Sequence, residues 1–211
     1  MLTKTKIAVF VSGGGTNLQA ILDASAAGKL PDGEIALVLA SRPDAYALER
    51  AKNAGVPTAV VSKKECAGQA EFEEKILAEL RAHGIQMIVL AGFMSILSEN
   101  FTSRFPKRIL NVHPSLIPSF CGKGFYGLRV HEAALAYGVK VSGATVHFVN
   151  EIPDGGEIIA QKAVDILPGD TPEVLQKRIM EQAEWILLPA AAQTVAKAIR
   201  EDAEYPAARL G

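Results

Sequence analysis

The chain has 211 residues, 49% hydrophobic and 21% charged, with a formal net charge of −1. That length suits one domain with a sizeable core, and the balance is that of an ordinary globular chain without the overall basic excess that drives nucleic-acid binding. No run reaches the ~18 apolar residues of a membrane span, the N-terminus lacks a signal-peptide pattern, and Cys66 and Cys121 fit neither a zinc site nor a disulfide framework, so a cytoplasmic protein with free thiols is expected.

Taken in order, the first apolar run, Ile7–Val11 (IAVFV), reads as a buried strand. It leads into Ser12-Gly13-Gly14-Gly15-Thr16-Asn17, which opens a helix. Glycines let a backbone turn sharply and approach a ligand, and a helix N-terminus offers free N–H groups and partial positive charge to a phosphate. Leu18 stands where a dinucleotide fingerprint has its third glycine, and no Gly-Lys-Ser/Thr is present. The loop therefore suits a phosphate monoester better than NAD or ATP; a glycine turn without a ligand is the alternative. Further strands are expected at Ile35–Ala40, Thr58–Val61, Met87–Ala91 and Ile109–Val112. Between them lie a helix through LERAKNA, with Asp44 as its cap and Gly55 as its stop, and another from about Gln69 to His83, stopped by Gly84. This rhythm predicts an α/β fold with a doubly wound, mostly parallel sheet.

At the end of the fifth strand lies Asn111-Val112-His113-Pro114. Residues two apart on a strand share a face, and Pro114 favours an extended His113. An amide and an imidazole at the C-terminal end of a parallel strand can donate to an oxyanion while the imidazole handles a proton. A polar pair satisfying loop backbone is the other reading. After Tyr137 the pattern changes: Ala144–Val149 and Glu157–Ala163 follow one another closely, which predicts antiparallel strands near the C-terminus. Asp154-Gly155-Gly156 between them is by itself turn chemistry; Asp154 gains a chemical role only if folding brings it beside His113. His147, in mid-strand, reads as a satisfied sheet histidine, and His131 as a cap neighbour or pocket wall. A long amphipathic helix runs from Thr171 to about Ile199, with Thr171 and Pro172 as cap and first position and a break at Pro189. The tail AEYPAARLG reads as loose surface chain. No His/Cys/Asp/Glu cluster has metal spacing, so no metal is expected.

These elements, in this order, resemble the glycinamide ribonucleotide formyltransferases. VSGGGTNLQAI, SRPDAYALERAKNAGVP, LAGFMSIL, ILNVHPSLIP, GATVHFV and DGGEIIAQKAV carry the likeness, from Ile7 to about Pro189. The resemblance implies the formyltransferase fold and transfer of a formyl group from 10-formyltetrahydrofolate, as cosubstrate, to the amine of glycinamide ribonucleotide in purine biosynthesis. It implies catalytic roles for Asn111, His113 and Asp154. Gly15, Thr16 and Asn17 would hold the substrate phosphate, with Asn111 and Glu184 as further substrate contacts. Met94, Ser95, Ile96 and Leu97 would form part of the folate pocket, and Asn150, Glu151, Ile152, Pro153 and Asp154 would line its pterin end.

The expected organisation is a single formyltransferase domain over 1–211, with a phosphate-binding half to about 105 and a folate and catalytic half over about 106–200. Small-molecule substrates are the expected partners, with no nucleic acid or membrane and a monomer or homodimer. A methionyl-tRNA formyltransferase usually adds a C-terminal tRNA-binding domain, and a formyltetrahydrofolate hydrolase an N-terminal regulatory one; the chain has room for neither. A non-catalytic nucleotide-binding module of the same fold is the alternative of a different class.

Overall fold

The computed structural model describes residues 3–201. Seven strands form one sheet in the order β3-β2-β1-β4-β5-β6-β7. The parallel part is β1 (Thr5–Val11), β2 (Gly33–Ala40), β3 (Thr58–Val60), β4 (Met87–Leu90) and β5 (Ile109–His113). Strands β6 (Val141–Phe148) and β7 (Ile158–Asp165) then add antiparallel to it. The expected fold class is therefore the observed one. The tail AEYPAARLG lies outside the described residues.

Both faces of the sheet are covered, which is why its strands are apolar almost without interruption. Along β1 the alternation sorts Ile7, Val9 and Val11 to one face, and Ala8 and Phe10 to the other. The first face packs on α1 (Thr16–Ala26), α6 (Pro172–Ile179) and α7 (Trp185–Arg200) through Leu18, Ile21, Leu175, Leu188 and Val195. The second packs on α3 (Gln69–Ala82) and α4 (Glu99–Thr102) through Phe72, Ile76, Leu80 and Phe101. Strand order reverses between β1 and β4, and a crevice forms at that reversal, beyond the carboxyl ends of the strands.

Two local expectations differ from the structure. The helix at LERAKNA, α2 (Ala47–Asn53), begins after Tyr46 and not at Asp44. Asp44 is held instead by Arg42, whose Nε and Nη2 donate to its two oxygens at 2.7 and 2.6 Å. The long C-terminal helix does not break at Pro189. Its irregularity is a wide π-helical turn at Met180–Glu184, and Pro189 continues, buried, inside α7. Wide turns and prolines are alternative seats for a disturbed i→i−4 ladder, and here the turn one step earlier absorbs the irregularity. Thr171 does cap α6, accepting from the Val174 N–H, with Pro172 in the first turn.

Between β6 and β7 the chain reverses so closely that a Cβ on Gly156 would overlap the Phe148 carbonyl. Gly156→Ala should therefore lower unfolding stability by about 1–3 kcal/mol. Urea denaturation would show this as a lower midpoint at unchanged m-value; an unchanged midpoint would mean that the loop gives way at no cost.

Candidate active site

Strand β5 ends in the crevice, and its pairing with β6 assembles the polar cluster. The register sets Asn111 opposite His147 and His113 opposite Thr145. Residues directly opposite on antiparallel strands point to the same face, so these four side chains share one face. His113 and His147 are buried, and the Asn111 Nδ2 lies 3.2 Å from the His147 Nε2. The His147 Nδ1 is 2.7 Å from the Phe148 carbonyl, so it carries a proton and donates there. A neutral His147 then presents Nε2 as acceptor to the Asn111 amide. A protonated one would set two donors against each other and turn to Asp154, whose Oδ1 lies 3.6 Å away.

Asp154 comes over this face from the β6–β7 loop. It adopts a left-handed backbone, φ 56°, a conformation that aspartate tolerates better than most residues. Its Oδ2 accepts from the Gly122 N–H at 2.8 Å and lies 3.5 Å from the His113 Nδ1. The other His113 nitrogen, Nε2, is 2.8 Å from the Phe120 carbonyl. A neutral imidazole donates to one of these oxygens, and an imidazolium to both. Burial pushes the Asp154 carboxyl up, but the side-chain interaction with His147, the Gly122 N–H and the neighbouring His113 outweigh it and hold it below its ordinary value. The segment from Ser119 to Leu128 therefore lies against the cluster and supplies two backbone contacts to it.

The glycine loop stands across the crevice. Gly15 takes φ 73°, and a Cβ there would come 2.6 Å from the Ala47 Cβ, so the loop packs against α2 with no room for a side chain. Helix α1 has no side-chain cap and no acidic residue in its first turn, which leaves its N-terminal N–H groups and dipole unopposed. The Asn17 Nδ2 donates to the Glu184 Oε2 at 2.7 Å. Burial pushes the Glu184 carboxyl above its ordinary range, against the opposing effect of the Asn17 bond. Ser12 ties the two walls: its hydroxyl accepts from the Met94 N–H at 2.9 Å and shares a proton with Ser41 at 2.7 Å.

A cleft of about 140 Å³ adjoins the cluster. Ser95, Ile96 and Leu97 line one side of it, residues 150 to 154 another, and Asn111 and His147 its floor. Met94, named with them from the sequence, is exposed and lines none of it. A larger groove, about 840 Å³, lies between α1 and α7, but alanines, Trp185, Ile186 and Pro189 make up most of its wall. The smaller cleft is the one that borders the cluster of amide, imidazole and carboxylate. Among the described residues, no group of three His, Cys, Asp or Glu side chains could hold a metal ion, and no helix is long and apolar enough to cross a membrane.

Sequence reasoning placed Asn111, His113 and Asp154 as candidates, and the fold brings them together. It read His147 only as a satisfied sheet histidine, gave Ser12 no role of its own within the glycine-loop motif, and assigned none to Arg50. His147 could have been found from the strand pairing, since it stands two positions from Thr145 on β6 and so on the same face. Arg50, on α2, donates from Nε to the Gly14 carbonyl at 2.8 Å, a contact between distant segments with no sequence signal.

The sequence model of the formyl transferase family matches residues 5–191. Phosphoribosylglycinamide formyltransferase of Haemophilus influenzae is 45% identical over 84% of this chain and 81% of its own. The chloroplastic phosphoribosylglycinamide formyltransferase of Arabidopsis thaliana is 40% identical over 85% of this chain, which spans 61% of the plant protein's length. Among solved structures, glycinamide ribonucleotide transformylase 1 from Symbiobacterium toebii superposes with a TM-score of 0.86 at 42% identity, covering 92% of this chain and 89% of that one.

One buried group generates a test of the site's surroundings. His131, on α5 (Leu128–Tyr137), is fully buried with neither ring nitrogen hydrogen-bonded; burial, helped by His113, lowers its pKa from 6.5 to about 4. Below its ordinary pKa the unfolded chain binds a proton that the folded chain refuses, so stability falls as pH drops through this window. Between pH 7 and pH 5 the loss from this group is about 2 kcal/mol. Urea titrations should show a pH dependence smaller by about that amount in His131→Leu; an identical dependence in both proteins would exclude His131 as its source.

Proposed function

The chain belongs to the formyl transferase family, and we propose that it transfers the formyl group of 10-formyltetrahydrofolate to the amine of glycinamide ribonucleotide, a step of purine biosynthesis. The observation that carries this reading is a connected cluster beside the cleft: Asn111 and Asp154 both reach His147, and Asp154 also faces His113. The relatives' names agree with it. Gly15, Thr16 and Asn17 would take the substrate phosphate at the uncapped start of α1, and Glu184, held by Asn17, the ribose hydroxyls. Ser95, Ile96 and Leu97 with residues 150 to 154 would take the pterin end of the folate. The cleft suits a ring system: Phe93, Ile96 and Leu97 offer apolar surface, and the 150–154 backbone offers hydrogen-bonding edges.

In this reading the substrate amine attacks the formyl carbon directly. A new N–C bond forms, the bond from carbon to the folate nitrogen breaks, and the proton lost by the amine ends on that nitrogen. Negative charge develops on the formyl oxygen during attack. The Asn111 amide, which gives one N–H to His147, keeps a second for this oxygen, and fixed donors of this kind are worth roughly 3–4 kcal/mol each; a protonated His113 would add another once its Nε2 exchanges the Phe120 carbonyl for that oxygen. Asp154, charged and close to His113 Nδ1, orients the imidazole and stabilises its protonated form. No enzyme nucleophile is needed, because the attacking amine is already competent. The amide of Asn111 is in turn oriented by His147.

The test is a formyl-transfer assay that follows deformylated folate and formylated product, with and without the amine. Product that depends on the amine is the expected result. Deformylation without amine would favour a hydrolase, and neither signal from folded protein would favour a non-catalytic module. His113→Ala and Asp154→Asn should each lower turnover at least about 100-fold while leaving the far-UV circular dichroism unchanged.

A further inference from the structure

We propose that Arg50 is the cationic component of the phosphate site, holding the glycine loop open for a phosphate monoester and lending it charge. The inference rests on the phosphate-binding reading of that loop and adds a residue that neither the motif nor the family likeness supplied. Arg50 reaches the loop from α2, 36 positions along the chain, and its Nε donates to the Gly14 carbonyl at 2.8 Å. Its Nη1 donates to the Gln19 Oε1 at 3.0 Å, on the first turns of α1. The guanidinium therefore bridges the loop and the helix that the loop opens.

Three further observations fix its place. The Arg50 guanidinium carbon lies 5.1 Å from the centre of the Tyr46 ring, which holds the plane from one side. The Arg50 Cδ would stand 3.4 Å from a Cβ on Gly15, so the side chain packs directly beneath the loop's left-handed residue. The Ala47 N–H donates to the Gly13 carbonyl at 3.1 Å, which makes the start of α2 a floor for the whole loop.

The charge is not consumed within the protein. Among the described residues, no carboxylate forms an ion pair with Arg50, whereas Arg42, Arg178 and Arg200 each pair with an aspartate. A half-buried guanidinium with two donors committed to neutral oxygens keeps its full positive charge and further N–H groups for an anion. The neighbouring helix terminus has neither a cap nor an acidic residue of its own. A phosphate dianion supplies the missing counter-charge to both.

The test compares glycinamide ribonucleotide with the unphosphorylated glycinamide riboside in wild type, Arg50→Gln and Arg50→Lys. Arg50→Gln should raise KM for the ribonucleotide about tenfold or more, as expected for a lost charge-assisted contact, with kcat within about twofold. KM for the riboside and for 10-formyltetrahydrofolate should stay the same, and Arg50→Lys should recover part of the loss. Equal rises for ribonucleotide and riboside would make Arg50 a structural brace only, and no rise would overturn the proposal. Inorganic phosphate gives an arm independent of the reaction: it should raise the melting temperature of wild type but not of Arg50→Gln. If formyl transfer to the ribonucleotide is absent altogether, that thermal shift still decides the role of Arg50.

Discussion

The site depends on one constraint: β6 must pair antiparallel with β5, and in one register. That pairing puts His147 opposite Asn111 and Thr145 opposite His113. A slip of one residue would turn each β6 side chain to the opposite face and take from the half-buried Asn111 amide its partner, His147. Burying polar groups unpaired is costly, so the register and the cluster stabilise each other. The Thr145 hydroxyl reinforces the pairing by donating to the Ser115 carbonyl at 2.7 Å and accepting from the Ile117 N–H at 3.1 Å. The turn that leads from β6 to β7 then sets Asp154 over the same face.

The rest of the crevice is built on the parallel half of the sheet. The reversal between β1 and β4 opens a gap, and the loops after these strands form its walls. Ser12 joins them with one hydroxyl, so the glycine loop and the 94–97 segment are set relative to each other. On the far side, Glu73 of α3 fixes the end of that segment: its carboxylate accepts from the Ser98 N–H at 2.7 Å and from the Ser98 hydroxyl at 2.6 Å. Gln69 donates to the Ile96 carbonyl at 3.0 Å. The walls of the cleft thus rest on elements that are themselves packed into the core.

What was legible in the sequence was what depends on local pattern. Five strands showed as apolar runs, four of them buried and β3 lying exposed at the sheet edge, and Thr171 with Pro172 showed as a helix start, because period and capping are local properties. Asn111 and His113 showed as a pair because two residues apart on a strand means one face. Pro189 misled, since a proline's local effect was assigned without the π turn at Met180–Glu184 that takes up the strain. Asp44 misled in the same way, because a nearby arginine competed for the side chain that might otherwise have capped a helix. His147 and Arg50 were illegible for a different reason: the role of each is created by a partner far along the chain, Asn111 in one case and Gly14 in the other. Asp154 stood between these cases. Its turn chemistry was plain, and its place beside His113 became plain only through the family resemblance and the fold.

The central claim is that the cluster stabilises charge developing on a transferred formyl oxygen, and Asn111 tests it most directly because its amide can donate a hydrogen bond but cannot exchange a proton at neutral pH. The measurement is kcat of Asn111→Ala at saturating concentrations of both substrates, on protein whose thermal unfolding matches wild type. A fall of about 10²–10³-fold with little change in either KM is the result predicted for a donor that acts in the transition state. A kcat equal to that of wild type would contradict the account.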